Sequence, residues 1–164
     1  EDYFDNEYMT GTPDLLYPDL VIDTKCSFDC FTFPLFATEI ENKDYYYQLQ
    51  GYMELTNVSK AMLSYCLLDM PLSMIEKEAY YESKNAGFKN TQEEIFDKVM
   101  EKRTYSNIDK EYRVKSFKFE YNKDVIKKIE VMVKLCRLYI KELKAEISWS
   151  TLKQSAITAP VPTL

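Results

Sequence analysis

Three ionisable side chains near the start of the sequence have the types and spacing of a hydrolytic centre. Asp14 stands in the turn-like stretch 11–14, and Asp23 and Lys25 stand two residues apart at the end of the apolar run 20–22. Because residues i and i+2 of a strand point to the same face, Asp23 and Lys25 share a face, with about 7 Å between their backbones. A hairpin turn before this strand would bring Asp14 alongside them.

Two carboxylates and one ammonium at one place have a defined chemistry. Carboxylate oxygens are the ligands that Mg²⁺ or Mn²⁺ prefers, with water and phosphate oxygens completing the octahedron. A lysine beside such an ion can hold or deprotonate a water and stabilise negative charge on a phosphate. The metal interpretation therefore predicts hydrolysis of a phosphodiester. The other interpretation is an exposed ion pair worth under about 1 kcal/mol, and these residues alone leave both open.

Apolar periodicity predicts the elements that must position these residues. Their order is strand, strand, helix, strand, helix, helix, strand, helix, which is typical of a mixed α/β fold. We expect a mixed central β-sheet flanked by helices. The predicted strands are 8–12, 20–25, 61–68 and 116–121, the first two forming a hairpin, and the predicted helices are 44–57, 71–83, 91–103 with Thr91 as N-cap, and a last one from about 125. The apolar stripe of the last helix, from Val125 to Ile147, predicts core packing along its length.

Length and composition bound the class of protein. The 164 residues suffice for one domain, which we place at 1–150, followed by a tail at 151–164 that we expect to be disordered. No apolar run approaches the length of a membrane span, so no membrane partner is expected. Four cysteines, spaced like neither a zinc site nor a disulfide scaffold, predict reduced thiols in a cytoplasmic, intracellular protein.

Charge is distributed unevenly along the chain. Residues 1–70 hold 13 acidic and 3 basic side chains, whereas residues 98–144 hold 7 acidic and 14 basic ones, net +7. The basic stretch could be a solvated helix surface or a nucleic-acid-binding face. If it is a nucleic-acid-binding face, Lys115 and Lys118 would contact DNA as part of a cluster. The cluster consists of Lys110, Arg113, Lys115, Lys118, Lys123, Lys127 and Lys128.

A third motif follows on the predicted helix 44–57, where Gln48 and Tyr52 are spaced i and i+4 on one face. Together with Pro13-Asp14 and Asp23-Thr24-Lys25, the stretch Gln48-Leu49-Gln50-Gly51-Tyr52 resembles the ordered motifs of the PD-(D/E)xK nuclease superfamily. Within that superfamily, the sequence is most similar to the phage-type, lambda-exonuclease-like (YqaJ-like) alkaline exonucleases and their RecB-like relatives. The likeness covers roughly residues 8–71.

This resemblance implies a restriction-endonuclease-like core and a role for each matching residue. Asp14 and Asp23 would bind Mg²⁺ or Mn²⁺, and the backbone carbonyl of Thr24 would be a further ligand. Lys25 would be the catalytic lysine. Gln48, with Tyr52 on the same helical face, would position the site or the DNA backbone.

The resemblance also implies a function and partners. It indicates a metal-dependent DNA nuclease, an exonuclease acting on DNA ends in phage or bacterial recombination or repair, with DNA, a homo-oligomer and a single-strand annealing protein as partners. It further implies a glutamate on a helix before the first strand: either that helix is missing from this sequence, which we expect, or the site lacks one ligand. Two alternatives remain: a restriction-type endonuclease, and a non-catalytic module of the same fold that binds nucleic acid or assembles complexes.

Overall fold

A four-stranded mixed sheet with one helix packed on its inner face forms the centre of the protein. The computed structural model describes residues 2–85 and 92–157, and side chains as far as residue 147. The sheet order is β3-β4-β5-β6, in which β4 and β5 are parallel and the outer pairs are antiparallel. The elements are β1 (Phe4–Asp5), β2 (Thr10–Gly11), β3 (Leu15–Tyr17), β4 (Leu20–Ser27), α1 (Lys43–Thr56), β5 (Lys60–Leu67), α2 (Leu72–Asn85), α3 (Gln92–Arg103), β6 (Val114–Glu120) and α4 (Lys123–Ile157), with a 3₁₀ turn at Lys110–Tyr112.

The predicted fold class and helix order are confirmed, but the predicted N-terminal hairpin is wrong. Strand β4 pairs with the short strand β3, and the two-residue turn between them is Pro18-Asp19. Residues of the predicted strand 8–12 pair instead with β1, through β2. Pro13 separates β2 from β3, because a proline has no N–H to donate to a continuous ladder. The predicted N-cap Thr91 lies outside the described residues.

The core lies between the sheet and α1. Strands β4 and β5 run in parallel and α1 connects them, so alternate residues of both strands face that helix. The buried cluster there consists of Val21, Leu49, Met53, Ala61 and Leu63. Polar residues bound the helix. Asn42 accepts a hydrogen bond from the N–H of Asp44, and Asn57 takes the left-handed conformation (φ 55°) that ends the helix.

Helices α2 and α3 form a second unit that is tied to the sheet by an arginine. The helices bury Ile75, Ala79, Ile95 and Val99 against each other. The guanidinium of Arg103 at the end of α3 contacts Glu78 of α2 at 2.7 Å and Asp29, just after β4, at 3.0 Å. Such a planar cation can serve two carboxylates at once, so Arg103 fixes the loop after β4 relative to both helices.

Helix α4 packs on α1 only near its beginning. Ile126 is buried and Val133 is half-buried, but Met132, Ile140 and Ile147 are exposed. The prediction of core packing along the whole stripe is therefore wrong, because the helix continues past the part of the domain that covers it. It extends to Ile157, beyond the predicted boundary at 150, and residues 158–164 lie outside the described part. Among the described residues, no helix has both the length and the apolar character needed to cross a membrane.

Gln50 joins α1 to the junction between β6 and α4. Its side chain is fully buried, its Nε2 donates to the carbonyl of Glu120 at 2.9 Å, and its Oε1 accepts from the N–H of Asn122 at 2.8 Å. Asn122 in turn caps α4 by accepting from the N–H of Asp124. A buried amide that satisfies two backbone groups fixes where β6 ends and α4 begins.

We predict that Gln50→Leu destabilises the protein by about 2–3 kcal/mol, because both backbone groups lose their partner. Urea unfolding followed by circular dichroism measures the change. Gln48→Leu, two residues earlier and half-buried, is the matched control and should change the free energy of unfolding by less than about 1 kcal/mol. Equal losses in the two variants would contradict this role for Gln50.

Candidate active site

Strand β4 places a buried carboxylate beside an ammonium. Asp23 is 2% exposed and faces α1 together with Lys25. The Nζ of Lys25 lies 2.7 Å from Oδ2 of Asp23. Burial raises the pKa of Asp23 above its ordinary value, the charge of Asp14 adds to this rise, and the contact with Lys25 opposes it. Burial also disfavours the charged form of Lys25, but the adjacent carboxylate outweighs this and raises the pKa of Lys25.

Asp14 contacts the same strand from the side of β3, which is the edge of β4 away from β5. Its Oδ2 accepts hydrogen bonds from the N–H of Thr24 at 2.6 Å and from the Thr24 hydroxyl at 2.7 Å. Partial burial opposes ionisation, but these two bonds and the charge of Lys25 outweigh it, so the pKa of Asp14 is lowered. The ladder explains the position of Asp14. Leu15 pairs with Ile22, so Asp14 comes to lie beside Asp23 at the point where β3 begins.

The backbone of Thr24 points toward Asp14 as well. On a strand, the N–H and C=O of one residue point to the same side, and the N–H of Thr24 is directed to Asp14. The carbonyl oxygen is therefore also directed to this edge, away from the ladder with β5. Asp14 and the carbonyl of Thr24 thus lie at the edge of β4 where the register also places Asp23.

A line of polar contacts joins Lys25 to α1. Its Nζ donates to Oε1 of Gln48 at 3.4 Å, and Nε2 of Gln48 donates to the hydroxyl of Tyr52 at 2.8 Å. A further residue, Tyr45, is not part of the motifs, and its ring centre lies 4.8 Å from the same ammonium. Tyr45, Gln48 and Tyr52 are spaced i, i+3 and i+7, so helical periodicity could have identified all three. Lys25 is thus held by a carboxylate, an amide and an aromatic face.

Gly11 makes room for the end of this line. A Cβ atom at Gly11 would lie 2.6 Å from Cε1 and 2.8 Å from Cδ1 of Tyr52. Real Cβ atoms do not approach a ring this closely, so only glycine lets β2 pass over Tyr52. Gly51, the residue before Tyr52 on α1, is different, because a Cβ there would meet Sδ of Met9 at 3.6 Å, an ordinary contact.

The two lysines expected to contact DNA lie on opposite faces of β6. Lys115 pairs with Tyr65, which pairs with Lys25, so Lys115 shares the site's face about 10 Å from Lys25. Lys118 is three residues further along the strand and belongs to the other face. The two therefore do not form one basic surface.

The donor set at the edge of β4 suits a divalent cation. Oδ2 of Asp23 is buried and receives no well-directed hydrogen bond from the described residues, although Lys25 lies close. Both bonds from Thr24 use Oδ2 of Asp14, which leaves Oδ1 of that exposed carboxylate available. Hard oxygen donors with free lone pairs fit Mg²⁺ or Mn²⁺. In the described ranges, no three acidic, cysteine or histidine side chains come together, so water or phosphate oxygens would have to complete the coordination.

Comparison with known proteins identifies relatives by structure. No protein-family model matches the chain, and no curated protein matches it in sequence. Among solved structures, a phage-related exonuclease from Haemophilus somnus 129PT matches with 27% identity and a TM-score of 0.67 over 90% of this chain. An alkaline exonuclease from Laribacter hongkongensis matches with 15% identity and a TM-score of 0.54 over 95%.

The first match confirms the relationship to phage-type exonucleases that the motifs predict. The first carries sequence identity across most of the chain as well as fold similarity. The second supports the fold. In each case, the chain covers 61% of the matched structure.

We predict that Gly11→Ala displaces the Tyr52 ring and destabilises the protein by about 1–3 kcal/mol, the usual cost of overpacking. Gly51→Ala, the matched control, should instead stabilise it by about 0.5–1 kcal/mol, because alanine is the better helix former and space is free. Urea unfolding of both variants tests the pair. A Gly11→Ala variant as stable as the parent would show that β2 does not constrain Tyr52.

Proposed function

We propose that this chain is the catalytic domain of a metal-dependent DNA nuclease, an exonuclease that acts on DNA ends in recombination or repair. One observation carries the proposal: three motifs that are separate in the sequence bring Asp14, Asp23, Lys25 and Gln48 together at β4. The relationship to phage-type exonucleases supports DNA as the substrate.

The metal would be held by three oxygen ligands. Asp14, Asp23 and the carbonyl of Thr24 are the proposed donors. A divalent cation there would polarise a phosphate oxygen and lower the pKa of a water bound beside it. Asp14 is suited to this because Thr24 fixes its carboxylate in one orientation.

Lys25 is the proposed catalytic lysine. Its ammonium would orient the attacking water and stabilise the negative charge that grows on the phosphate as the bond to the leaving oxygen breaks. Gln48 is a positioning residue, since its Oε1 accepts from Lys25 while its Nε2 is fixed by Tyr52. These contacts restrict the conformations of the Lys25 side chain before the reaction begins, so less conformational entropy is lost in reaching the transition state.

We predict that Asp23→Asn and Lys25→Ala lose activity in different ways. Asp23→Asn should lose Mn²⁺ binding measured by calorimetry. Lys25→Ala should keep Mn²⁺ and DNA binding while turnover falls about a hundredfold to a thousandfold, because its contacts strengthen in the transition state. Lys25→Arg should not restore turnover, since a planar guanidinium cannot replace a compact ammonium. Digestion of linear duplex, closed circular duplex and single-stranded DNA with Mg²⁺ or Mn²⁺ measures turnover.

Lys60→Ala is the control, because Lys60 is an exposed lysine at the opposite end of β5. It should behave as the parent in all three assays. Cleavage of linear but not circular DNA supports an exonuclease, and cleavage of both supports an endonuclease. If the parent protein binds DNA but cleaves none of the three substrates, the chain is a non-catalytic DNA-binding module and not a nuclease.

We further predict that Lys115 contributes to DNA binding and Lys118 does not. Lys115 lies on the same face of the sheet as Lys25. Lys115→Glu should therefore weaken DNA binding and lower the salt dependence by about one unit of log–log slope. Lys118→Glu changes the same net charge on the other face and serves as the matched control. Fluorescence anisotropy at several salt concentrations measures both. Equal effects of the two variants would contradict a DNA path over the α1 face.

A further inference from the structure

In the loop 28–42, between β4 and α1, two phenylalanine side chains are exposed to solvent. Phe31 is 92% exposed and Phe36 is 91% exposed, whereas Phe33 between them is buried with Leu67 and Tyr105. A phenylalanine left in water forgoes about 1.5–3 kcal/mol of burial, so two of them on one loop indicate an interaction surface.

The backbone that carries Phe31 is fixed. The side chain of Asp29 accepts from the N–H of Phe31 at 3.1 Å and of Thr32 at 2.9 Å, and Arg103 binds the same carboxylate at 3.0 Å. The N–H of Cys30 donates to the hydroxyl of Tyr105 at 3.3 Å. The exposure of Phe31 is thus the product of an anchored turn, so the ring is presented outward at small cost in entropy when something binds it.

Both rings line a cavity of about 480 Å³ whose wall also includes Tyr65 and Phe117. The rings of Tyr65 and Phe117 pack edge to face, with centres 6.1 Å apart. Tyr65 pairs with Lys25 across the parallel ladder, and its ring contacts Tyr45, which contacts the Lys25 ammonium. Tyr65 thus places the aromatic cavity next to the candidate active site, one strand away.

The charge of the cavity selects what can enter. Glu39 and Glu41 contribute to its lining, and among the residues that the structure describes no lysine or arginine does. A phosphate is disfavoured there, whereas the uncharged face of a nucleobase is not. The carboxylates can accept hydrogen bonds from the amino groups of cytosine, adenine or guanine. The volume falls in the range of cavities that hold small organic groups.

We propose that this aromatic cavity, formed by Phe31, Phe36, Tyr65 and Phe117, stacks an unpaired base of the DNA strand whose phosphate lies at Lys25. The inference rests on the proposed nuclease function and deepens it, because it assigns the substrate as a strand with an unpaired base next to the scissile phosphate. A duplex end would have to fray by one step before the base could enter.

Binding of a single-stranded oligonucleotide containing 2-aminopurine tests the proposal in the Lys25→Ala background, where DNA is not consumed. The probe's fluorescence should be quenched on binding, since stacking quenches this base. Replacing both Phe31 and Phe36 by alanine should remove the quenching and lower affinity about fivefold to a hundredfold. Thermal unfolding should be unchanged, because the two rings are exposed. Tyr139→Ala, which removes a 61% exposed ring from α4, is the control and should alter neither signal.

Leucine at both positions separates a base from an apolar protein partner. Leucine keeps apolar area but offers no π face, so the leucine variant should bind DNA as weakly as the alanine variant. If either variant quenches and binds as the parent background does, the cavity holds no base. Leucine restoring affinity without quenching would likewise overturn the proposal in favour of an apolar contact.

Hydrolysis of bis(p-nitrophenyl) phosphate with Mn²⁺, in the Lys25-containing protein, separates failure of this inference from failure of the proposed function. This small phosphodiester needs the Asp23–Lys25 centre and carries no nucleobase, so its hydrolysis by the protein with both phenylalanines intact reports on the proposed function alone. Hydrolysis together with unaltered DNA binding in the Phe variants overturns the cavity alone. Loss of DNA binding in those variants, in a protein without hydrolysis, overturns the nuclease function and retains the base-binding cavity.

Discussion

The burial of the Asp23 carboxylate is the constraint on which the rest of the centre depends. A carboxylate that is 2% exposed must be compensated by a nearby cation, and Lys25 supplies it at 2.7 Å. The long side chain of Lys25 then needs its own contacts, which Gln48 and Tyr45 of α1 provide. Helix α1 must therefore dock on β4 at one position and in one orientation. Core packing and the geometry of the site are set by the same contact.

Successive residues of α1 divide three tasks between them. Leu49 and Met53 bury against the sheet, Gln50 fixes the start of α4, and Gln48 reaches the site. Because a helix turns by 100° per residue, neighbours in sequence serve different surfaces. A shift of α1 by one residue would separate the amide from Lys25 and the apolar side chains from the core together. The domain therefore couples its stability to the arrangement of its functional residues.

The sequence predicts those parts of the structure that depend on local pattern. The strand at Leu20–Ser27 and the helix carrying Gln48 follow from apolar runs and i,i+4 spacing. Strand β3 was missed because it is three residues long and exposed, and so has no alternation. The contacts of Arg103 with Asp29 and Glu78 were missed because they join residues 74 and 25 positions apart. The stripe of α4 was correctly periodic, but periodicity does not determine what covers a face.

Net charge is a poor guide to what this surface binds, because the sheet joins the two halves of the chain. Strand β4 comes from the acidic half, whose carboxylates at Asp14 and Asp23 form the centre. Strand β6 comes from the basic half, and its register places Lys115 in one row with Lys25. A phosphate near the site would experience the electric field of Lys25, Lys115 and any cation held by the carboxylates. The net charge of −6, by contrast, is spread over the whole surface. Concentrated acids are what a metal site requires, so under the proposed function the carboxylates that would repel DNA by themselves would hold a cation that attracts its phosphate.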